Sequence, residues 1–270
     1  MRAPTQIRVD GPQCALNLLD WGGSGEPLLL LHGMAAHAHW WDLCAPHLFE
    51  KRRVLALDLR GHGDSGWAEP PAYEFSDYAS DLEAVRTTLG FSRFALAGHS
   101  HGARVAIEYA RRYPENLTRL AAIDFVCRGL ERDTKRFGPS ARARQPVYGS
   151  QEEMVSRFRL QPPGTAAPRA TLDALARDGV RARPEGGWTW KFDWRAFDID
   201  FPEVWPSLKE VPVPCLILRG ELSPILSKEE LPRIVSALPR GVGGEIAGAH
   251  HHVTLDRPRE TAEALLDFFG

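Results

Sequence analysis

One serine stands between two glycines at G-x-S-x-G spacing, in Gly98-His99-Ser100-His101-Gly102. A serine hydroxyl is a weak nucleophile at neutral pH. It attacks a carbonyl when a base within hydrogen-bond reach takes its proton, normally a histidine steered by a carboxylate. The glycines have a steric purpose: a serine on a sharp strand-to-helix turn brings the two backbones too close for a Cβ on either side. Ten histidines are available, none of them between residues 126 and 206. Most follow apolar runs: His32, His62, His99, His101 and His250 to His252. The last group is the one placed late enough in the chain to follow both a serine and an acid. Three consecutive histidines also raise the question of a metal, but adjacent side chains point in different directions and cannot all face one ion.

These residues need a scaffold, and the first half of the chain supplies one. Short apolar runs alternate with helical patterns, the signature of βαβ units in a mostly parallel, doubly wound α/β sheet. Pro27–Leu31 ends at His32-Gly33, Val54–Leu57 at Asp58, Phe94–Ala97 at the serine turn, and Leu120–Ile123 at Asp124. After a possible cap at Ser76-Asp77, Tyr78, Leu82, Val85 and Leu89 form one helical stripe stopped by Gly90. Ala103, Ala106, Ile107 and Ala110 predict a helix ending near Pro114.

From Val126 to Pro206 the alternation stops, proline and glycine punctuate, and Trp188, Trp190 and Trp194 cluster in GGWTWKFDW. It resumes with a strand at Pro214–Leu218, a helix near Glu229–Ala237, a strand around Glu245–Ala247 and a last helix with Ala262, Leu265, Leu266 and Phe269 on one face. The expected organisation is a core of residues 1–125 and 207–270 interrupted by a mainly helical lid, 126–206. Such a lid covers the strand ends, where parallel α/β sheets bind ligands.

Four segments together resemble the α/β-hydrolase family over nearly the whole chain. LLLLHGMAAHAHWW is similar to the family's oxyanion segment, DLRGHGDS to the loop after the next strand, GHSHG to its nucleophile elbow, and AGAHHHVTLDRPRE to its histidine loop. The resemblance implies Ser100 as nucleophile. Its A-G-H-x-V pattern, with Val253 setting the register, selects His251 as base, with His250 in the glycine's place and His250 and His252 as alternatives. Many members carry the acid shortly after the glycine that ends the seventh strand, where Arg219-Gly220-Glu221-Leu222-Ser223-Pro224 has serine and proline. A subset of bacterial esterases uses the aspartate ending the sixth strand, which selects Asp124, with Glu221 as the alternative acid. The backbone N–H groups of Met34 and His101 are the implied oxyanion donors, since a tetrahedral intermediate needs two preorganised donors. Gly33 keeps the adjoining turn open, and Trp188, Trp190 and Phe192 are expected to line an apolar substrate pocket. No metal or organic cofactor is implied, and a serine nucleophile disfavours the members that use aspartate there to open epoxides or remove halides.

Composition agrees with a small-molecule enzyme. The 270 residues are 43% apolar and 25% charged with a formal charge of -2, so no broad positive field exists for nucleic acid or an anionic membrane. Cys14, Cys44, Cys127 and Cys215 have no metal-site spacing and read as small buried hydrophobes. The N-terminus lacks a signal-peptide pattern and no run has the length of a membrane span, so a cytoplasmic location is expected. The resulting expectation is a monomeric or weakly associating serine hydrolase that cleaves a carboxylic ester. The alternatives are a C–C bond hydrolase acting on β-diketone-like substrates and a non-catalytic ligand-binding sensor.

Overall fold

The apolar runs become strands of one sheet. In the computed structural model, which describes residues 3–129 and 145–270, these are β1 (Thr5–Asp10), β2 (Ala15–Gly22), β3 (Pro27–Leu31), β4 (Arg53–Asp58), β5 (Phe94–His99) and β6 (Leu117–Ile123). A small separate hairpin pairs β7 (Val180–Ala182) with β8 (Trp188–Trp190), and β9 (Cys215–Gly220) and β10 (Gly241–Ile246) complete the main sheet. Its order is β1-β2-β4-β3-β5-β6-β9-β10. The β1–β2 and β2–β4 pairs are antiparallel and all the others parallel.

The period-2 alternation of strand side chains explains why the central strands read as continuous apolar runs. Leu29 and Leu31 of β3 join Leu96 of β5 and Ile217 of β9 on one face, against the helices α2 (Phe75–Thr88) and α3 (His101–Arg112). Leu28, Leu30, Ala97 and Leu218 point to the other face, where Trp41, Leu48 of the short helix α1 (Ala45–Leu48) and the C-terminal helix Pro258–Phe269 cover them. Both faces are dry, so the strands have no polar side.

Helix α2 begins two residues before the expected cap. Glu74 is its N-cap, and Asp77 accepts the Glu74 N–H at 2.9 Å in a capping box. The C-terminal strand is also earlier than expected, 241–246 instead of 245–247. Its GVGGEI sequence has weak strand propensity, and its backbone ladder to β9 holds it. The β1–β2 hairpin had no counterpart in the sequence pattern, because it lies at the sheet edge with most of β1 exposed. Its turn explains the one departure among the cysteines: Cys14 is half-buried, whereas Cys44, Cys127 and Cys215 are buried and all four are free.

Between β6 and β9 the chain leaves the sheet. Residues 130–144 of the expected lid lie outside the described residues. The remainder is less helical than expected: helices Gln151–Arg157 and Arg169–Asp178, the β7–β8 hairpin, a 3-10 turn at Trp194–Phe197, and irregular chain broken by prolines and glycines. Arg104 on α3 ties both ends of the excursion, donating to the carbonyls of Val126 at 2.8 Å and Pro202 at 2.5 Å. Among the described residues no helix is long and apolar enough to cross a membrane.

Leu30 lies in a central strand and is fully buried. Leu30→Ala is expected to lower unfolding free energy by about 2–5 kcal/mol, read as a lower urea midpoint at unchanged slope. Val242→Ala, on the exposed edge strand, is expected to change it by under about 0.5 kcal/mol.

Candidate active site

Strand β5 ends in a turn that only glycine flanks allow. A Cβ at Gly98 would stand 2.2 Å from the Gly102 carbonyl oxygen, and one at Gly102 would stand 2.5 Å from that of His32. Between them Ser100 adopts φ 54° and ψ -115°, a conformation costly for a residue with a side chain. The surrounding backbone enforces it. The Ser100 N–H donates to Ile123 O at 2.8 Å, extending the β5–β6 ladder, and the Ser100 carbonyl accepts from Ala103 and Arg104 in the first turn of α3.

The neighbouring strand ends in the same way. Asp124 follows β6 with φ 44°, and its N–H donates to Leu218 O at 2.8 Å. Its carboxylate is fully buried and accepts three hydrogen bonds: from Gly220 N–H at 2.7 Å, the Ser223 hydroxyl at 2.6 Å and His251 Nδ1–H at 2.8 Å. The other nitrogen of His251, Nε2, is 3.2 Å from Ser100 Oγ. Serine, imidazole and carboxylate thus form one hydrogen-bonded chain across three strand ends.

The alternatives fall elsewhere. Glu221 is exposed and its carboxylate accepts the Gly248 N–H at 2.7 Å. The His250 ring packs on Gly164, where an added Cβ would come within 2.7 Å of Nδ1, and His252 Nε2 donates to the Pro162 carbonyl at 3.0 Å. Ser223 is a residue that sequence reasoning missed. It occupies the stretch where an acid was sought and instead orients the acid at position 124.

His99 and His32 were also present in the sequence without assigned tasks. His99 Nε2–H donates to the His251 carbonyl at 2.8 Å and so holds the histidine loop against β5. His32 Nδ1–H donates to Gly33 O at 2.7 Å while its Nε2 accepts the Leu59 N–H at 3.0 Å, fixing the turn after β3. That turn passes so near the serine that a Cβ on Gly33 would lie 3.3 Å from Ser100 Cβ. Ala35 completes it with φ 57°. Neither the Met34 amide nor the His101 amide has an acceptor among the described residues. The His101 side chain packs among Phe75, Tyr78 and Phe201, leaving only its backbone beside the serine.

Burial governs the charges. It pushes His251 down to about 4 and Asp124 up to about 6, the latter opposed by the Ser223 and Gly220 hydrogen bonds. At neutral pH the pair is therefore a carboxylate beside a neutral imidazole whose Nε2 lone pair faces the serine.

A cavity of about 540 Å³ opens over Ser100 and His251, within the range of small-ligand sites. Gly33, Met34, Trp190 and Phe192 lie on its wall. Trp188 does not. It lies two residues from Trp190 on the same face of β8, pairs across the hairpin with Ala182, and joins Tyr148 through its backbone. Trp40, Phe158 and Phe197 are further wall residues that sequence patterning did not single out, and Trp194, noted there only as part of the tryptophan cluster, joins them.

A mostly parallel sheet carrying a serine at a strained strand-to-helix turn, beside a histidine from the last loop, is the arrangement of the α/β hydrolases. Residues 26–258 match the alpha/beta hydrolase fold family, and the chain belongs to it. It is similar to the esterase Rv0045c of Mycobacterium tuberculosis, with 28% identity over 254 residues covering 92% of this chain and 84% of that protein. It is also similar to the 2-(acetamidomethylene)succinate hydrolase of Mesorhizobium japonicum, with 27% identity over 265 residues covering 97% and 94%. A crystal structure of E-2-(acetamidomethylene)succinate hydrolase superposes with a TM-score of 0.83 at 26% identity, covering 98% of this chain and 99% of that one.

The steric reading of the turn has a direct check. Gly98→Ala is expected to displace Ser100 and abolish its labelling by a fluorophosphonate. Gly90→Ala has open space around it and costs only about 1–2 kcal/mol for its left-handed backbone, so labelling should persist. In-gel fluorescence of the two variants at equal folded concentration distinguishes them.

Proposed function

We propose that the protein is a serine hydrolase that cleaves carboxylic esters of small molecules through an acyl-enzyme, with Ser100, His251 and Asp124 as its catalytic triad. The observation that carries this reading is the hydrogen-bonded chain, 3.2 Å from Ser100 Oγ to His251 Nε2 and 2.8 Å from His251 Nδ1 to Asp124. As Ser100 Oγ bonds to the ester carbonyl carbon, its proton passes to His251 Nε2. The carbonyl oxygen becomes an oxyanion held by the N–H groups of Met34 and His101. When the tetrahedral intermediate collapses, the alkoxide leaves with the proton returned by His251. A water molecule then repeats the sequence on the acyl-enzyme and frees the acid.

Residues 126–206 serve as the lid. Their aromatic wall supplies the apolar part of the substrate site, and Asp193 anchors them to the core, its carboxylate accepting from the Tyr73 hydroxyl at 2.5 Å and its N–H donating to the Gly61 carbonyl at 2.7 Å. The similarity to a named esterase over most of both chains supports the ester class. The reading takes the enzyme to be cytoplasmic and monomeric or weakly associating, with a small-molecule ester as its substrate.

Turnover of a p-nitrophenyl ester panel tests the reading against its rivals. Wild type is expected to hydrolyse short esters and to take one fluorophosphonate label that Ser100→Ala abolishes. Fast cleavage of a vinylogous diketone with negligible ester turnover would assign C–C bond hydrolysis instead, and an unlabelled wild type would assign a binding protein. Asp124→Asn is expected to lower kcat by about 10⁴, while Glu221→Gln stays close to wild type; the reverse ranking would move the acid to position 221.

The pH profile tests the electrostatics. The reactive form holds a neutral imidazole, and burial lowers the pH at which that imidazole takes a proton. The acid limb of kcat/KM should therefore lie below the unperturbed histidine value of about 6.5. A limb centred above 7 would contradict burial as the dominant influence.

A further inference from the structure

Asp256 is a buried carboxylate that the hydrolytic reading leaves without a task. It ends the single helical turn Val253–Asp256, five residues after His251, and is 6% exposed. Its two oxygens serve different stretches of chain. Oδ2 accepts the His250 N–H at 2.7 Å and folds the histidine loop back on its own helical turn. Oδ1 accepts the Thr165 hydroxyl at 2.5 Å and the Ala166 N–H at 2.8 Å, both from the excursion between β6 and β9. The Thr165 oxygen itself accepts the Ala167 N–H at 3.0 Å, which leaves its hydrogen for the carboxylate.

Other contacts close the same seam. His252 Nε2–H donates to the Pro162 carbonyl at 3.0 Å, and the His250 ring packs on Gly164. Leu255 shares a small apolar cluster with Leu160 and Leu175 from the excursion and with Ala36 and Trp40 beyond the β3 turn. The clamped stretch, 162–166, directly continues Phe158, Arg159, Leu160 and Gln161, which line the cavity over Ser100. One side chain therefore joins a wall of the cavity to the loop that carries His251. All three of its partners are neutral donors, so its removal would leave unpaired N–H groups on both sides of the seam.

We propose that Asp256 is a positioning and specificity-determining residue: it clasps the wall at 158–161 to the histidine loop, so that the space left for substrate and the placement of His251 are set together. A carboxylate accepts on both oxygens, whereas an amide of the same shape accepts on one side and donates from the other. Asp256→Asn can therefore hold Ala166 or His250 but not both, because the NH₂ group meets an N–H whichever way it turns. Thr165→Val keeps the shape of its side chain and removes one donor from the wall side alone. A substrate chain reaching toward Phe158 and Leu160 meets a wall that the clasp keeps from yielding. When the clasp loosens, the wall gives way, and longer chains gain relative to short ones while the base loses its fixed support.

The kinetic half of the proposal rests on the hydrolase reading and the mechanical half does not, so two readouts are taken on the full chain at equal folded concentration. In hydrogen exchange read by mass spectrometry, Asp256→Asn is expected to speed exchange in peptides covering 162–166 and 250–256 by about tenfold or more, the scale of a protein hydrogen bond left unmade. Unchanged exchange in either peptide overturns the clasp. Two ester series, one varied in the acyl chain and one in the alcohol, read the specificity. Asp256→Asn and Thr165→Val are each expected to raise kcat/KM for the longest ester relative to the shortest in one series by about tenfold, the weight of a methylene group in an apolar pocket. An unchanged ratio in both series, with any loss equal on every ester, marks structural damage alone and overturns the specificity role. Asp256→Asn should also lower kcat on the shortest ester, and an unchanged kcat there overturns the positioning of His251. If Asp256→Asn does not fold, the ratio in Thr165→Val decides by the same two outcomes. The expected exchange with no ester turnover in wild type would leave the clasp standing and remove the hydrolase reading.

Discussion

A fully buried carboxylate is the constraint around which this structure is arranged. Asp124 has no water to solvate it, so its charge persists only if protein donors replace the solvent. Those donors come from three separate stretches of chain: the last residue of β9, the turn after it and the histidine loop after β10. Satisfying one side chain therefore fixes the mutual positions of three strand ends. The imidazole of His251 is oriented as a consequence, because the same interaction that satisfies the carboxylate decides which ring nitrogen carries the hydrogen and which faces Ser100.

Backbone strain concentrates at the same place. The described residues other than glycine that have positive φ are Ala35, Ser100 and Asp124, and all three lie at or just past the C-terminal ends of neighbouring parallel strands. Each conformation costs free energy that the sheet must offset. The ladder hydrogen bonds do so: Ser100 N–H binds the end of β6 and Asp124 N–H binds β9. The strain is useful because it bends the chain out of the sheet at once, leaving a side chain on a short, rigid support. A looser turn would relieve the backbone and would let the serine oxygen wander from the imidazole.

How much of this was legible beforehand depended on whether the determinant was local. The central strands were readable because both their faces are buried, so every residue from Leu28 to Leu31 had to be apolar, and Gly98 and Gly102 announced a close backbone approach. The edge hairpin was not readable, since Thr5–Asp10 answers to solvent on most sides and carries little pattern. Choosing Asp124 over Glu221 needed the family resemblance, because both follow apolar runs. What separates them in space is the direction in which each strand releases its chain, which spacing does not encode. Ser223 was visible only as the lack of an acid. Its function depends on a contact 99 residues away in sequence. Trp188 misled for a related reason: three tryptophans in a short segment signal an aromatic cluster, but their spacing does not say how far along the hairpin the cavity extends, and it takes in Trp190 and Trp194 without Trp188.

Desolvation links the histidines to the aromatic cavity above them. His251 is buried at the base of a cavity walled in part by Trp40, Trp190 and Phe158, so its charged form loses hydration, which keeps the imidazole neutral and able to accept a proton. In the proposed reaction, a substrate that displaces solvent from the cavity would make the amides of Met34 and His101 stronger donors toward the developing negative charge. An opposing requirement follows in the proposed reaction, because a cation forming on His251 is disfavoured by the burial that keeps it neutral at rest. Asp124 resolves the conflict. Held ionised by Gly220 and Ser223 within hydrogen-bond distance of Nδ1, it supplies a counter-charge that takes effect when the imidazole becomes charged. The ionised Asp124 and the buried imidazole of His251 are thus two halves of one electrostatic arrangement.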